Sequence, residues 1–328
     1  MWVKIRYLKP VKYIDRLFMS IHRNSDLVHQ QSYRNFIHPR YWPTWLMLAC
    51  LWLLTRLPMS VQLQLGAGLG WLAYHLVKSR RRVTEVNIRM CFPELSAAEQ
   101  QQLIKDIFIS YGKGLMETAM SWFLDPRRLA DKTIVEGEEI LEEARRDGRG
   151  VILAGGHFAI LDLASALFSL HNTGLEVVQR SHDNPLFNLF MTRARERNGH
   201  HCLSRKDLRG MIRMLKKGKL LWYAPDQDYG RRNSVFVPFF NIATATITST
   251  TRLAQLSGAT VVPCFAHREK GGYVLKFYPP WPKTDDDVEN ARLYNQFLEQ
   301  RVREHPDQYL WLHKRFKTRP EGEPGFYR

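Results

Sequence analysis

Apolar and polar positions divide this chain into an amphipathic opening, two uncharged runs, and a long alternating region. After Pro10, the residues Val11, Ile14, Leu17, Phe18 and Ile21 recur at helical spacing, with Lys12, Asp15, Arg16 and Arg23 on the other side. This predicts a basic amphipathic helix suited to a membrane surface, a pattern an ordinary surface helix also shows. From Tyr41 to Thr55 no residue is charged and three are Trp. Arg56, Leu57 and Pro58 interrupt the run, and a second uncharged stretch, Met59 to Val77, ends at Lys78, Arg80, Arg81 and Arg82. The first run is short of the roughly 20 residues that a spanning helix needs. Trp at its ends and basic residues on its flanks nevertheless suit the membrane–water interface, which predicts a hydrophobic membrane anchor over residues 41–77, as a hairpin or half-buried. A soluble core helix is the competing reading. No small-residue cleavage site follows the run cleanly, so it does not read as a secretory signal.

From about residue 83 the pattern becomes globular. Ser96 and Glu99 form a capping box that opens a helix running through IKDIFISYGKGLMETAMSWF. Strand patterns fall at Thr133–Glu136, Val151–Ala154, Leu175–Gln179, Leu220–Tyr223, Thr260–Ala266 and Tyr273–Tyr278, with helical patterns such as Leu208–Lys217 and Thr246–Leu256 between them. The alternation predicts an α/β fold, a central mixed sheet flanked by helices. Three regions result: a basic extension over 1–40, the anchor over 41–77 and one domain over 78–328. No internal repeat is present.

Composition adds charge to this picture. The net charge is +16, from 48 Lys and Arg against 32 Asp and Glu. Nucleic acid, an anionic membrane or an acidic substrate would each account for it. Nucleic-acid binding explains the charge but not the apolar runs, and no recognised module is present. Cys50, Cys91, Cys202 and Cys264 are widely spaced, with no CxxC pair, and read as reduced thiols. A Walker-type loop, a GxGxxG fingerprint and a GxSxG elbow are all missing.

Three constellations carry candidate chemistry. In GGHFAILD, directly after the strand VILA, His157 stands five residues before Asp162. A carboxylate that orients a His lets the ring take a proton from an attacking hydroxyl. Five residues of continuous helix turn the chain by about 500°, so the pair converges only if His157 lies on the loop and Asp162 in the first turns of the next helix. Gly155 and Gly156 permit that passage. The spacing alone is weak evidence: about one His-x4-acid match is expected by chance at this composition, and His171 with Glu176 also matches. The strand–Gly–Gly context favours His157 and Asp162 over His171 and Glu176, with a satisfied structural His as the alternative reading.

The second constellation is the loop after Leu220–Tyr223, where Asp226, Asp228, Arg231 and Arg232 crowd together before the apolar Phe236, Val237, Phe239 and Phe240. Loops at strand ends are usual sites in α/β sheets, so these residues are candidates for substrate binding, with a salt-bridged turn as the alternative. The third is a scatter of Arg180, Arg193, Arg195, Arg197, Arg205 and Lys206, together with the tail LHKRFKTRP. Arg suits bidentate phosphate recognition, so together these fit a phosphorylated lipid or an acidic carrier protein.

The blocks HPRYWPTWL (38–46), NIRMCFPELS (87–96), GLMETAMSWF (114–123), RKDLRGMIRMLKKG (205–218), APDQDYGRRNSVFVPFF (224–240) and QYLWLHKRFKTRPEG (308–322) resemble the late acyltransferases of lipid A biosynthesis, nearest the lauroyl/palmitoleoyl branch. The resemblance runs from about residue 36 to the C-terminus. It implies a lysophospholipid/glycerolipid acyltransferase-like fold in an enzyme of the bacterial inner membrane, with its active site facing the cytoplasm. The implied donor is an acyl carrier protein thioester, and the implied acceptor is the 3-hydroxyl of an acyl chain on (Kdo)2-lipid IVA. The family's His-x4-Asp/Glu signature falls on His157 as general base and Asp162 as orienting carboxylate. Arg180, Arg195, Arg205, Asp226, Asp228 and Arg231 are the candidate substrate-binding set, and neither metal, nucleotide nor nucleic acid is expected. A related acyltransferase acting on another lipid, such as a lysophospholipid, is the alternative reading.

Overall fold

A computed structural model describes residues 31–171 and 175–327; the predicted amphipathic helix over 11–21 lies outside the described residues. The two uncharged runs form helices α1 (Trp42–Leu54) and α2 (Met59–Leu76). Pro58 starts α2, and the buried Gln62 amide closes the connection by donating to the carbonyls of Thr55 (3.3 Å) and Leu57 (2.8 Å). Helices α3 (Lys78–Cys91) and α4 (Ala97–Phe123) follow, α4 opening with the predicted Ser96–Glu99 capping box.

The glycines of the second run have a packing role. A Cβ on Gly66 would lie 2.6 Å from the Gly112 carbonyl oxygen of α4, and one on Gly70 would overlap the Phe108 carbonyl. Helix α2 thus lies backbone to backbone on α4. Among the described residues no helix is long and apolar enough to cross a membrane, so the expected anchor over 41–77 holds no transmembrane helix. The hairpin does leave apolar stripes exposed. Trp42, Leu46 and Leu53 on α1, and Val61, Leu65, Leu69, Leu72 and Leu76 on α2, face outward at helical spacing.

Among the described residues the main sheet has seven strands in the order β1-β9-β8-β2-β5-β3-β4. These are β1 (Thr133–Glu136), β2 (Val151–Ala154), β3 (Leu175–Gln179), β4 (His201–Ser204), β5 (Leu220–Tyr223), β8 (Thr260–Glu269) and β9 (Gly272–Phe277). All neighbours pair parallel except β8 with β9. The predicted mixed α/β sheet is present, with its six predicted strands in place to within a few residues at their ends. Helices α5 (Glu138–Arg145), α6 (Leu161–Phe168), α7 (Pro185–Arg197), α8 (Leu208–Lys216), α9 (Ser249–Ser257) and α10 (Asp287–Glu304) connect and flank it. Strand β2 is buried at every residue, the apolar run expected of a central parallel strand.

A separate hairpin, β6 (Ser234–Phe239) and β7 (Ile242–Ile247), occupies part of the span predicted as the helix Thr246–Leu256, which begins only at Ser249. Its two-residue turn places Phe240 and Asn241 at φ of 51° and 59°. Left-handed Phe is unusual. Here its ring is buried against Phe92 and Trp311, and its N–H donates to Glu299 at 2.6 Å.

The tail after α10 is core, not a solvated basic strip. Tyr309, Trp311, Arg315 and Phe316 are fully buried. The Asn87 amide donates to the carbonyls of Trp311 (2.8 Å) and His313 (3.0 Å), and the Arg315 guanidinium donates to Ala245 (2.9 Å). These bonds weave the tail between α3 and the hairpin.

Candidate active site

Strands β2 and β5 are parallel neighbours, with Ala154 opposite Tyr223. Their C-terminal ends stop at the same edge of the sheet, so the loops that follow rise side by side. His157 is three residues past Ala154, and Asp226 is three residues past Tyr223. The His157 ring Nδ1 meets Asp226 Oδ1 at 2.5 Å, and the His157 backbone N–H donates to Oδ2 at 2.8 Å. An ionised carboxylate only accepts, so Nδ1 carries the proton and Nε2 is left with the lone pair.

Asp226 is completely buried. Burial alone would raise its pKa, but the His157 charge and hydrogen bonds outweigh that and hold it down at about 2. Burial likewise opposes charge on His157, yet Asp226 outweighs it and raises the imidazole pKa above its ordinary value. The loop is fastened elsewhere as well. Leu310 N–H donates to the His157 carbonyl (3.0 Å), Ala159 N–H donates to Gln308 (2.8 Å), and the Tyr294 hydroxyl donates to Gly155 (2.8 Å). Space is tight at both glycines: a Cβ on Gly155 would sit 2.7 Å from Trp222 Nε1, and one on Gly156 would sit 2.6 Å from Leu298 Cδ1, so either side chain would have to shift. Trp222 also meets the His157 ring edge-on at 5.8 Å.

Asp162 lies where the spacing argument puts it, in the first turn of α6, while His157 stays on the loop. Its expected role as the carboxylate that orients His157 is corrected by the bonding. Asp162 accepts from Arg195 Nε at 2.7 Å, and Arg195 also donates to Gln179 Oε1 at 2.7 Å. Asp226 already occupies the only ring nitrogen that could face a second carboxylate without losing the free base. The rival pair separates too: His171 pairs with Glu138 (3.4 Å), and Glu176 with His201 (2.8 Å).

His157 and Asp162 border one cavity of about 300 Å³. Its walls are apolar, including Leu153, Leu161, Ala164, Phe168, Val177 and Phe277, whereas Gln179, Arg180 and Arg195 supply polar groups with the two named residues. Arg180 is largely exposed.

The other substrate-binding candidates have different duties. Asp228 accepts from the Thr318 N–H (2.6 Å) and hydroxyl (2.7 Å), and Arg231 donates to the Arg319 carbonyl (2.7 Å). Both tie the loop to the C-terminal tail and do not line the cavity. Arg205 lies over the Tyr229 ring at 5.7 Å, also away from it. Trp222 and Gln179, which do line it, carry no sequence signal that singles them out.

A base with a free Nε2, held by a buried ionised carboxylate at the rim of an apolar cavity, can deprotonate a hydroxyl beside a bound hydrocarbon chain. Residues 30–318 match the family of bacterial lipid A biosynthesis acyltransferases. The chain belongs to that family. It is 45% identical over 296 residues to the lipid A biosynthesis lauroyltransferase of Escherichia coli (strain K12), covering 89% of this chain and 96% of the relative. The palmitoleoyltransferase of the same organism is 39% identical over 298 residues, at 90% and 97% coverage, and its myristoyltransferase is 31% identical over 295 residues, at 88% and 91%. The solved 1-acyl-sn-glycerophosphate acyltransferase from Thermotoga maritima aligns at TM-score 0.34 and 15% identity over 75% of this chain and 97% of that one, too distant to bear on the site. In this acyltransferase His157 and Asp162, five residues apart, are thus bonded to different partners.

Proposed function

We propose that this acyltransferase moves a fatty acyl chain from an acyl carrier protein thioester to the 3-hydroxyl of an acyl chain on (Kdo)2-lipid IVA at the bacterial inner membrane, facing the cytoplasm. The observation that carries the reading is the His157–Asp226 pair at the rim of the apolar cavity. With Asp226 holding Nδ1–H, Nε2 removes the acceptor hydroxyl proton as that oxygen attacks the thioester carbonyl carbon. Asp226 stabilises the imidazolium that forms. When the tetrahedral intermediate collapses, the carbon–sulfur bond breaks and the carrier thiolate takes the proton back from His157. The products are an ester and a free carrier thiol, with no covalent enzyme intermediate.

The apolar cavity suits an acyl chain, and the Asp162–Arg195 pair lends its rim a fixed polar group. The exposed Arg180 suits phosphate or carboxylate groups of a donor or acceptor. The outward stripes of α1 and α2 support seating of the hairpin at the membrane interface rather than across it.

The test is an assay with acyl carrier protein thioesters and labelled (Kdo)2-lipid IVA in membranes bearing the protein. Turnover that is lost in folded His157→Ala and Asp226→Asn supports the reading. Full activity in His157→Ala eliminates the mechanism, and turnover only with a lysophospholipid acceptor reassigns the substrate.

A further inference from the structure

His267 and Glu269 near the end of β8, and His305 at the C-cap of α10, bring three ligand atoms within 4.8 Å of one another, in a cluster that does not border the acyl cavity. His267 is 6% exposed, and its Nδ1 finds no hydrogen-bond partner among the described residues. Its Nε2 meets Glu269 Oε1 at 3.1 Å. The His305 ring stacks on it at 4.0 Å, and the Phe265 ring lies 4.8 Å from it and 5.7 Å from His305, so the three rings form one cluster.

We propose that His267, Glu269 and His305 form a divalent transition-metal site, of the kind zinc fills, which fastens β8 to the end of α10. Two imidazoles and a carboxylate are a donor set suited to Zn2+. The centre of a triangle with 4.8 Å edges lies about 2.8 Å from each corner, so ligand distances of about 2.0–2.2 Å need an inward movement of about 0.8 Å at most, with a turn of the His305 ring out of its stack so that both lone pairs converge. The exposed Glu269 and half-buried His305 are free to make that movement. Binding takes the neutral form of the His305 ring as ligand. Glu269, Glu304 and Asp307 all act on the same ring with negative charge, a field that draws a cation. The His267 Nε2 proton leaves to solvent when the metal binds.

The position has a consequence for the site. The segment after His305 supplies Gln308 and Leu310, whose backbone groups bond Ala159 and His157. A metal at His305 therefore stiffens the support of the catalytic loop without entering the reaction.

The experiment titrates ZnCl2, with MgCl2 as control, into full-length chain that has been purified in detergent and stripped with a chelator. Calorimetry and thermal melting are the readouts. Expected is one saturable Zn2+ site that raises Tm, no effect of Mg2+, and binding at least tenfold weaker in His305→Ala and Glu269→Gln but intact in the surface control His75→Ala. Should His305→Ala melt early without metal, His305→Gln tests the same lone pair at similar size. No saturable site in the wild type, or wild-type binding in the His305 variants, overturns the proposal, whatever the acyl-transfer assay shows.

Discussion

His157 and Asp226 stand 69 residues apart in the chain yet share two hydrogen bonds, because each follows by three residues one member of the register pair Ala154–Tyr223. Neighbouring parallel strands deliver imidazole and carboxylate to one edge of the sheet. The carboxylate is sealed from water while the imidazole keeps a face to the cavity, so the pair is asymmetric by construction.

Removing the Asp226 charge while keeping its shape isolates that arrangement. Asp226→Asn is expected to lower kcat by on the order of 10²–10⁴-fold. His157→Ala should cost at least as much, and the double variant no more than the worse single, since the two act as a unit. Additive losses in steady-state assays would contradict this.

The pH profile follows from the raised pKa of His157. The proposed mechanism needs the neutral ring, so kcat/KM is expected to rise with pH through a midpoint above the ordinary value of about 6.5. In Asp226→Asn the opposing burial prevails and the midpoint moves down. Stability runs the other way. The raised imidazole contributes stability below about pH 6.5 that is lost as pH rises through its folded value. The depressed Asp226 contributes stability above about pH 4 that is lost as pH falls toward about 2.

Asp162 and Arg195 are a largely buried pair, with side chains 17% and 16% exposed. Asp162→Asn leaves the guanidinium without its counter-charge. The expected loss is about 1–3 kcal/mol, below the range for a fully buried pair because solvent still screens it. Activity should fall while the midpoint of the pH profile stays with Asp226. A midpoint that moved as far as in Asp226→Asn would restore Asp162 as the partner of His157.

Gly70→Ala sets a methyl against the Phe108 carbonyl of α4 and should cost about 1–3 kcal/mol or more, read as a lower Tm. By contrast, Leu65→Ser with Leu69→Ser and Leu72→Ser alters only the exposed stripe. The triple variant is expected to keep its Tm and lose binding to anionic liposomes by tenfold or more. Unchanged binding would remove α2 from the membrane-facing surface.

Much of this protein is decided locally. Hydrophobic period alone locates the six predicted strands, Ser96 and Glu99 cap α4 by a bond three residues long, and Gly155 with Gly156 announces a crowded turn. The placement of His157 on the loop and Asp162 on the helix is likewise a matter of helical geometry over five residues. The β6–β7 hairpin escapes that logic because its turn is Phe240–Asn241, where no glycine signals a left-handed pair and burial of the Phe ring holds the conformation.

What tertiary structure decided is which groups meet. Nothing near Asp226 in the chain tells that its strand adjoins the one before His157, so it reads as a substrate ligand, and the nearer Asp162 reads as the orienting carboxylate. Strand order settles both, giving Asp226 to His157 and Asp162 to Arg195. The same holds for the uncharged helices: composition cannot tell a lipid-facing glycine from one pressed on another backbone, and Gly66 and Gly70 are of the second kind. Arg315, buried on the Ala245 carbonyl, looks in sequence like any surface cation. Period and propensity act over a few residues, whereas a partner is chosen by chain segments that only folding brings together.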